Sequence, residues 1–212
     1  FLAWLFSQGR LGLEDSNISW RDEMGAGRKL RFSAVNLILR NDGDRHQLNA
    51  SLKLSRNLGK SLILRVDMHG DPRQTMGRRT QVYVAGEHVR LGELFEPQAL
   101  AGIDVSIKSA SFKVWADWQG GYLQEIKGNV DAGGLLLDRQ QTEKPPASSL
   151  LLDHVAGDFL WRGLADGWEF DGNDLLLARQ SRQWEPSRMA LRFIESSGEV
   201  AGINASASFL QL

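Results

Sequence analysis

The sequence predicts an all-β protein. Three observations carry that class. Apolar and polar residues alternate with period two in one stretch after another. Clusters of Gly, Asn and Asp punctuate the chain at the spacing of short strands. Helical periodicity is confined to the first residues and to one later turn. The alternation is clearest from Gln47 to His69. There Leu48, Ala50, Leu52 and Leu54 alternate with polar residues, and so do Leu62, Leu64, Val66 and Met68, with Ile63 as the one exception. Side chains on a strand point to opposite faces in turn, so each run makes a strand with one apolar and one wet face. The link Arg56-Asn57-Leu58-Gly59-Lys60 is short and suits a hairpin.

Taken in order, Phe1–Ser7 reads as the end of an amphipathic helix that closes near Gly9. Arg10–Asp15 and Ile18–Asp22 read as short strands, with a turn or bulge at Asp15-Ser16-Asn17. Met24-Gly25-Ala26-Gly27 reads as a loop. Lys29–Arg40 is a long strand whose apolar parity shifts, from Phe32 and Ala34 to Val35, Leu37 and Leu39. One inserted residue near Ala34 explains the shift as a β-bulge. Asn41-Asp42-Gly43-Asp44 is a turn. After the hairpin, Gly70–Arg79 reads as a loop and Thr80–Ala85 as a strand, with a helical turn around Leu91–Phe95. Ile103–Lys108, Ala110–Trp118, Tyr122–Asp131 and Gly134–Asp138 read as strands, with turns at Gln119-Gly120-Gly121 and Ala132-Gly133. Gln140–Ser149 holds Lys144-Pro145-Pro146 and reads as an exposed loop. Leu150–His154, Val155–Trp161, Trp168–Phe170, Leu175–Arg179, Met189–Phe193 and Asn204–Leu212 complete the strands. Gly163–Gly167 and Asp171–Asp174 are expected to turn the chain.

The helices are too few to cover the apolar faces. Two coverings remain: a second sheet, giving a sandwich, or a bound apolar ligand. Composition excludes several function classes. The net charge of -1 gives no basic field for nucleic acid. Cysteine is absent, so disulfides and thiolate metal sites are excluded. The longest apolar run, Phe1–Phe6, is far short of the ~20 residues that span a bilayer. The chain opens inside an element and without a start methionine, as expected for a piece of a longer protein; any membrane anchor would lie outside it.

No catalytic or cofactor motif survives inspection. Leu58-Gly59-Lys60-Ser61 ends like a P-loop, but Leu54 stands where its first Gly belongs. Gly25-Ala26-Gly27 fails as a dinucleotide fingerprint because Leu30 replaces the third Gly. His46, His69, His88 and His154 stand far apart, with no ligand spacing. Asp67 and His69 share a wet strand face, but a metal site needs a third ligand. The pairs Asp42/Asp44 and Asp171/Asp174 sit where Asp favours turns. Three glycan-acceptor patterns, at Asn17, Asn49 and Asn204, fall in or beside strands, which is poor placement. The chain is therefore expected to be no enzyme, without cofactor or metal. Its seven Trp suit packing and wet–dry boundaries.

Longer motifs carry a resemblance. The segment WLFSQGRLGLEDSNISWRDE (Trp4–Glu23), followed by LRFSAVNLILRNDGDRHQLNASL (Leu30–Leu52), resembles the YhdP branch of the AsmA-like proteins of Gram-negative bacteria. The matching positions are Gly9, Arg10, Asp15, Trp20, Arg21 and Asp22, then Val35, Asn36, Asn41, Gly43 and His46. Val114–Leu135 and Leu152–Arg162 are similar to the same branch. The resemblance implies a periplasmic protein tethered to the inner membrane, associated with phospholipid movement towards the outer membrane. It implies a long, curved, twisted antiparallel sheet forming an open hydrophobic groove, with a short N-terminal helix. Residues 1–8 would be the end of that helix. Residues 9–212 would be one groove segment, with sub-repeats at about 9–86 and 103–212. The expected partners are phospholipids, the rest of the same chain at both ends and, for an isolated piece, other copies of itself. The groove lining is expected to include Leu48, Leu52, Leu54, Leu62, Leu64, Val66 and Met68, with Val82, Val84, Phe112 and Val114. The competing reading is a structural or adhesive closed β-sandwich, with sugar binding through its Trp residues.

Overall fold

Period-two patterning becomes strand along nearly the whole chain. The computed structural model describes residues 2–21, 29–72, 74, 76–94, 98–100, 103–139, 149–180, 182–196 and 199–208. In chain order the elements are α1 (Leu2–Ser7), β1 (Arg10–Arg21), β2 (Lys29–Asp42), β3 (Arg45–Leu54), β4 (Ser61–His69), β5 (Arg79–Val89) and α2 (Leu91–Leu94). Then come β6 (Gln98–Leu100), β7 (Ile103–Gln119), β8 (Tyr122–Arg139), β9 (Ser149–Leu164), β10 (Gly167–Arg179), β11 (Arg182–Gln183), β12 (Ser187–Ser196) and β13 (Glu199–Ala207). The strands form one open antiparallel sheet in the order β1-β2-β3-β4-β5-β7-β8-β9-β10-β12-β13. β6 pairs with β7 and β11 with β10. By contacts the chain divides into two compact units. The first is Phe1–Glu87 with Lys113–Ile126, and the second is His88–Phe112 with Lys127–Leu212.

In the first unit the expected hairpin forms with no slip in its ladder, from Arg45↔His69 to Lys53↔Ser61. The expected bulge in β2 is present: Ala34 has φ 48 and the pairing with β3 shifts between Ser33 and Asn36. A matching bulge lies in β1, where Asp15 has φ 41. Asn36 stitches the two together. Its Oδ1 accepts from the Asp15 N–H at 3.1 Å, and its Nδ2 donates to the Ala34 carbonyl. β1 is therefore one bulged strand and not two strands joined by a turn.

Asn41 and His46 tie α1 to the sheet. Asn41 Nδ2 donates to the carbonyls of Leu5 and Gln8, and Asn41 Oδ1 accepts from buried His46 Nδ1 at 2.8 Å. An amide oxygen only accepts, so Nδ1 carries the proton in this pair. Phe6 meets the His46 ring edge-on at 5.0 Å.

In the second unit the expected turns at Ala132-Gly133 and Asp171–Asp174 are corrected. β8 and β10 run straight through them. The expected breaks at Ser109 and between His154 and Val155 also lie inside β7 and β9. The residues that suggested turns are small or positive-φ residues at irregular points of long strands. At Asp174, φ 50, the ladder of β10 shifts against both neighbours. The shift keeps Leu175 on the face of Gly172 and lays its side chain against Gly157 of β9. The loop expected over Met24–Gly27 lies outside the described residues. So does the loop over Gln140–Ser149 except its last residue, and so does the end of the strand expected over Asn204–Leu212 beyond Ser208.

Gly157 has φ +148, and an added Cβ would meet the carbonyl oxygens of Asn173 and Asp174 at 3.0 Å and Leu175 Cδ2 at 2.9 Å. Gly157→Ala should therefore cost about 1–3 kcal/mol in urea denaturation. Gly202→Ala on β13, where the nearest atom is 3.9 Å away, should stay within about 0.5 kcal/mol of the parent. Equal effects at the two sites would contradict the bulge geometry.

Candidate functional site

The apolar face of the first unit is built by register. Leu11, Leu39, Leu48, Val66 and Val82 stand opposite one another across β1 to β5. A second row is Leu13, Leu37, Ala50, Leu64 and Val84. Leu52 and Leu62 face each other on the next row, and Ile18, Phe32 and Leu54 form another. The bulge at Asp15 carries β1 from odd to even parity and that at Ala34 carries β2 from even to odd, so that all these residues share one face.

Burial on this face is uneven. Leu54, Met68, Leu39 and His46 are buried, and so is Leu58 in the β3–β4 link. Leu48, Leu52, Leu62, Leu64, Val66, Val82 and Val84 are only half-buried, and Leu13 and Ile18 are exposed. A second sheet laid over the face would bury its central residues first. Among the described residues every strand belongs to the one sheet. Of the remaining expected lining residues, Val114 lies in the first unit and Phe112 in the second, both half-buried on β7. Asp117 of β7 bonds to Arg79 and Gln81 on the wet face, so Val114 and Trp118 belong to the apolar one.

The wet face uses its charges on itself. Arg45 holds Asp67 with two bonds, Nε–Oδ1 at 3.1 Å and Nη2–Oδ2 at 2.6 Å, and Gln47 adds a third at 3.0 Å. His69 Nε2 lies 3.4 Å from Asp67. The hydrogen bonds from Arg45 hold the Asp67 carboxyl down at about 2, against partial burial and with help from Gln47. Arg65 stacks over Tyr83, whose ring lies 5.0 Å from that of Trp115. Asp67 thus spends its carboxyl on Arg45 and Gln47, with His69 beside it. Among the described residues no group of three His, Asp or Glu is placed to hold a metal.

The second unit has its own apolar rows on β9 to β13, which the expected lining residues did not include. Trp161, Phe170 and Leu191 stand in register across β9, β10 and β12. Trp168, Phe193 and Ile203 do so across β10, β12 and β13. Trp168 stacks on Phe193 at 5.2 Å and Phe159 on Phe170 at 6.5 Å. The signal was in the sequence, as the alternations Phe159/Trp161, Trp168/Phe170 and Leu191/Phe193.

These features define a class: an all-β protein whose open antiparallel sheet presents an apolar face in each unit and carries its ion pairs on the opposite face in the first. Within that class, the chain belongs to the YhdP family, since the family model described as YhdP protein matches residues 1–212. No curated protein and no solved structure gives a significant match. Among the described residues no helix is long and apolar enough to cross a membrane.

The Asp67 carboxyl has a lowered pKa in the folded state. Its contribution is therefore complete above the unfolded value near 4 and is lost as pH falls towards about 2. Asp67→Asn should cost about 1 kcal/mol at pH 7, after allowance for solvent screening of a pair this exposed. Thermal unfolding of parent and variant should converge between pH 4 and 2. A gap that persists at pH 2 would place the cost outside the ion pair.

Proposed function

We propose that this chain is a periplasmic segment of a bridge-like lipid-transport protein. It conducts phospholipid acyl chains passively along its apolar sheet faces, between inner and outer membranes, in a protein tethered to the inner membrane by an anchor outside this sequence. The observation that carries the reading is the first unit's apolar face. Rows of Leu and Val stand in register across five strands and remain half-exposed at their centre. Membership of the YhdP family supports it.

The energetics favour an acyl occupant. Each CH₂ withdrawn from water gains about 0.8 kcal/mol, so a 16-carbon chain gains roughly 12 kcal/mol. Leu and Val supply that environment without directional contacts, so a chain can slide from row to row with little change in energy. Head groups stay in water at the rim, and no buried charge has to be paired. The half-burial of Leu48, Val66 and Val82 argues against a closed sandwich, in which these residues would be core. The reading assigns the segment no catalytic step, so the driving force comes from elsewhere.

Mass spectrometry of lipid co-purifying with the folded protein should find phospholipid in stoichiometric amount. Val66→Asp should then give a folded protein that has lost it. In a closed core the same unpaired carboxylate would abolish folding. Parent protein that carries no lipid, and takes none from labelled vesicles, would end the conduit reading.

A further inference from the structure

The apolar face of the first unit is uniform along its rows but not at its loop end. There Arg78, Thr80, Val82, Trp118 and Gly121 line a pocket of about 330 Å³. Thr80 and Val82 belong to the apolar face of β5, opposite Met68 and Val66. Trp118 shares that face, because Asp117 beside it bonds on the other. Arg78 is half-buried. Its Nη1 donates to the Pro72 carbonyl at 3.2 Å, and among the described residues no carboxylate pairs with it. Its carbonyl accepts from Gly120 N–H at 2.9 Å, which ties the β4–β5 loop to the β7–β8 turn. The contrast with the wet face is sharp, since Arg45 and Arg79 there each hold an Asp.

We propose that this pocket receives the phosphodiester of a phospholipid whose acyl chains lie along the Val82 and Val66 positions. The inference rests on the conduit reading and adds where along the face a head group is held. Guanidinium is a planar fork matched to two phosphate oxygens, and it keeps its charge at any physiological pH. One N–H on Pro72 fixes the plane and leaves the other donors for the ligand. The Thr80 hydroxyl can donate to the same phosphate. The Trp118 indole suits a wet–dry boundary, with its ring among acyl carbons and its N–H towards the head group. The occupant must carry both charge and chain, because the lining sets the Arg78 guanidinium and the Thr80 hydroxyl beside Val82 and Trp118.

The test measures binding of phosphatidylglycerol and of a diacylglycerol with the same chains to the purified protein, with inorganic phosphate as a third ligand. Arg78→Gln should weaken phosphatidylglycerol roughly tenfold, leave diacylglycerol within about twofold, and leave the melting temperature unchanged. Arg78→Lys, which keeps the charge and loses the fork, should fall between parent and Gln. Parent-like phosphatidylglycerol binding by Arg78→Gln would overturn the head-group site while leaving the conduit intact. Inorganic phosphate bound as tightly as phosphatidylglycerol would overturn it too, by making the pocket a free-anion site. A parent protein that binds neither lipid would instead remove the conduit reading on which the site rests.

Discussion

Side chains on a strand change face at every residue, so the apolar face of the first unit exists only while register is held across five strands. A slip of one residue would send the leucines of a strand to the wet side. The β3–β4 ladder holds that register from Arg45↔His69 to Lys53↔Ser61 without a shift. β1 and β2 cannot match it by regular pleating alone, because their apolar residues change parity along the chain. The bulges at Asp15 and Ala34 absorb the extra residues, and Asn36 bonds to both. A positive φ at a residue with a Cβ costs on the order of 1–3 kcal/mol. Here that cost keeps Ile18 and Phe32 on the same face as Leu13 and Leu37. Asp174 does the same in β10, where Leu175 keeps to the side of Gly172.

A face held in this way still needs cover, and the first unit covers only parts of it. At one end α1 contributes Phe6, fixed through Asn41 and His46. At the other, the β3–β4 link buries Leu58, and Lys60 N–H bonds to the Glu87 carbonyl of β5. Between them Leu48, Leu52, Leu62 and Leu64 keep part of their surface in water. Apolar surface left in contiguous rows is what interaction surfaces have in common. The polar face is different. Its carboxylates are already engaged by Arg45, Gln47, Arg79 and Gln81, so it stiffens the sheet and offers little to a ligand.

The hairpin, the β2 bulge and the first helix were legible because each rests on local signals. Alternation gave the hairpin, a change of parity gave the bulge, and a short helical pattern ending near Gly9 gave α1. Strand length was not legible. Ala132-Gly133 and Asp171–Asp174 have turn composition, and only their neighbours make them strand. Gly157 is small because Leu175 and two carbonyls approach it from β10, which is a non-local fact. For the same reason β7 through β10 are longer than their sequences suggest. The candidate face was legible in β3 to β5, where alternation is broken in β3 and β4 only at Ile63. It was missed in β9 to β12, where aromatic pairs are interrupted by Gly and Asp. The pocket at Arg78 was not legible at all, since it depends on a loop meeting the β7–β8 turn.

The two kinds of surface divide the work of recognition. An apolar row discriminates poorly, because one CH₂ more or less changes its gain by only about 0.8 kcal/mol. That tolerance suits passage and defeats selection. A polar group that must be satisfied discriminates far better, because an unmatched partner pays its full desolvation. On the conduit reading proposed above, selection among lipids therefore cannot reside in the middle of the leucine rows. It falls to places where the face gives way to unpaired polar atoms. In the first unit the loop end of β5 is such a place, where a half-buried guanidinium stands beside an indole and a hydroxyl at the edge of the apolar face.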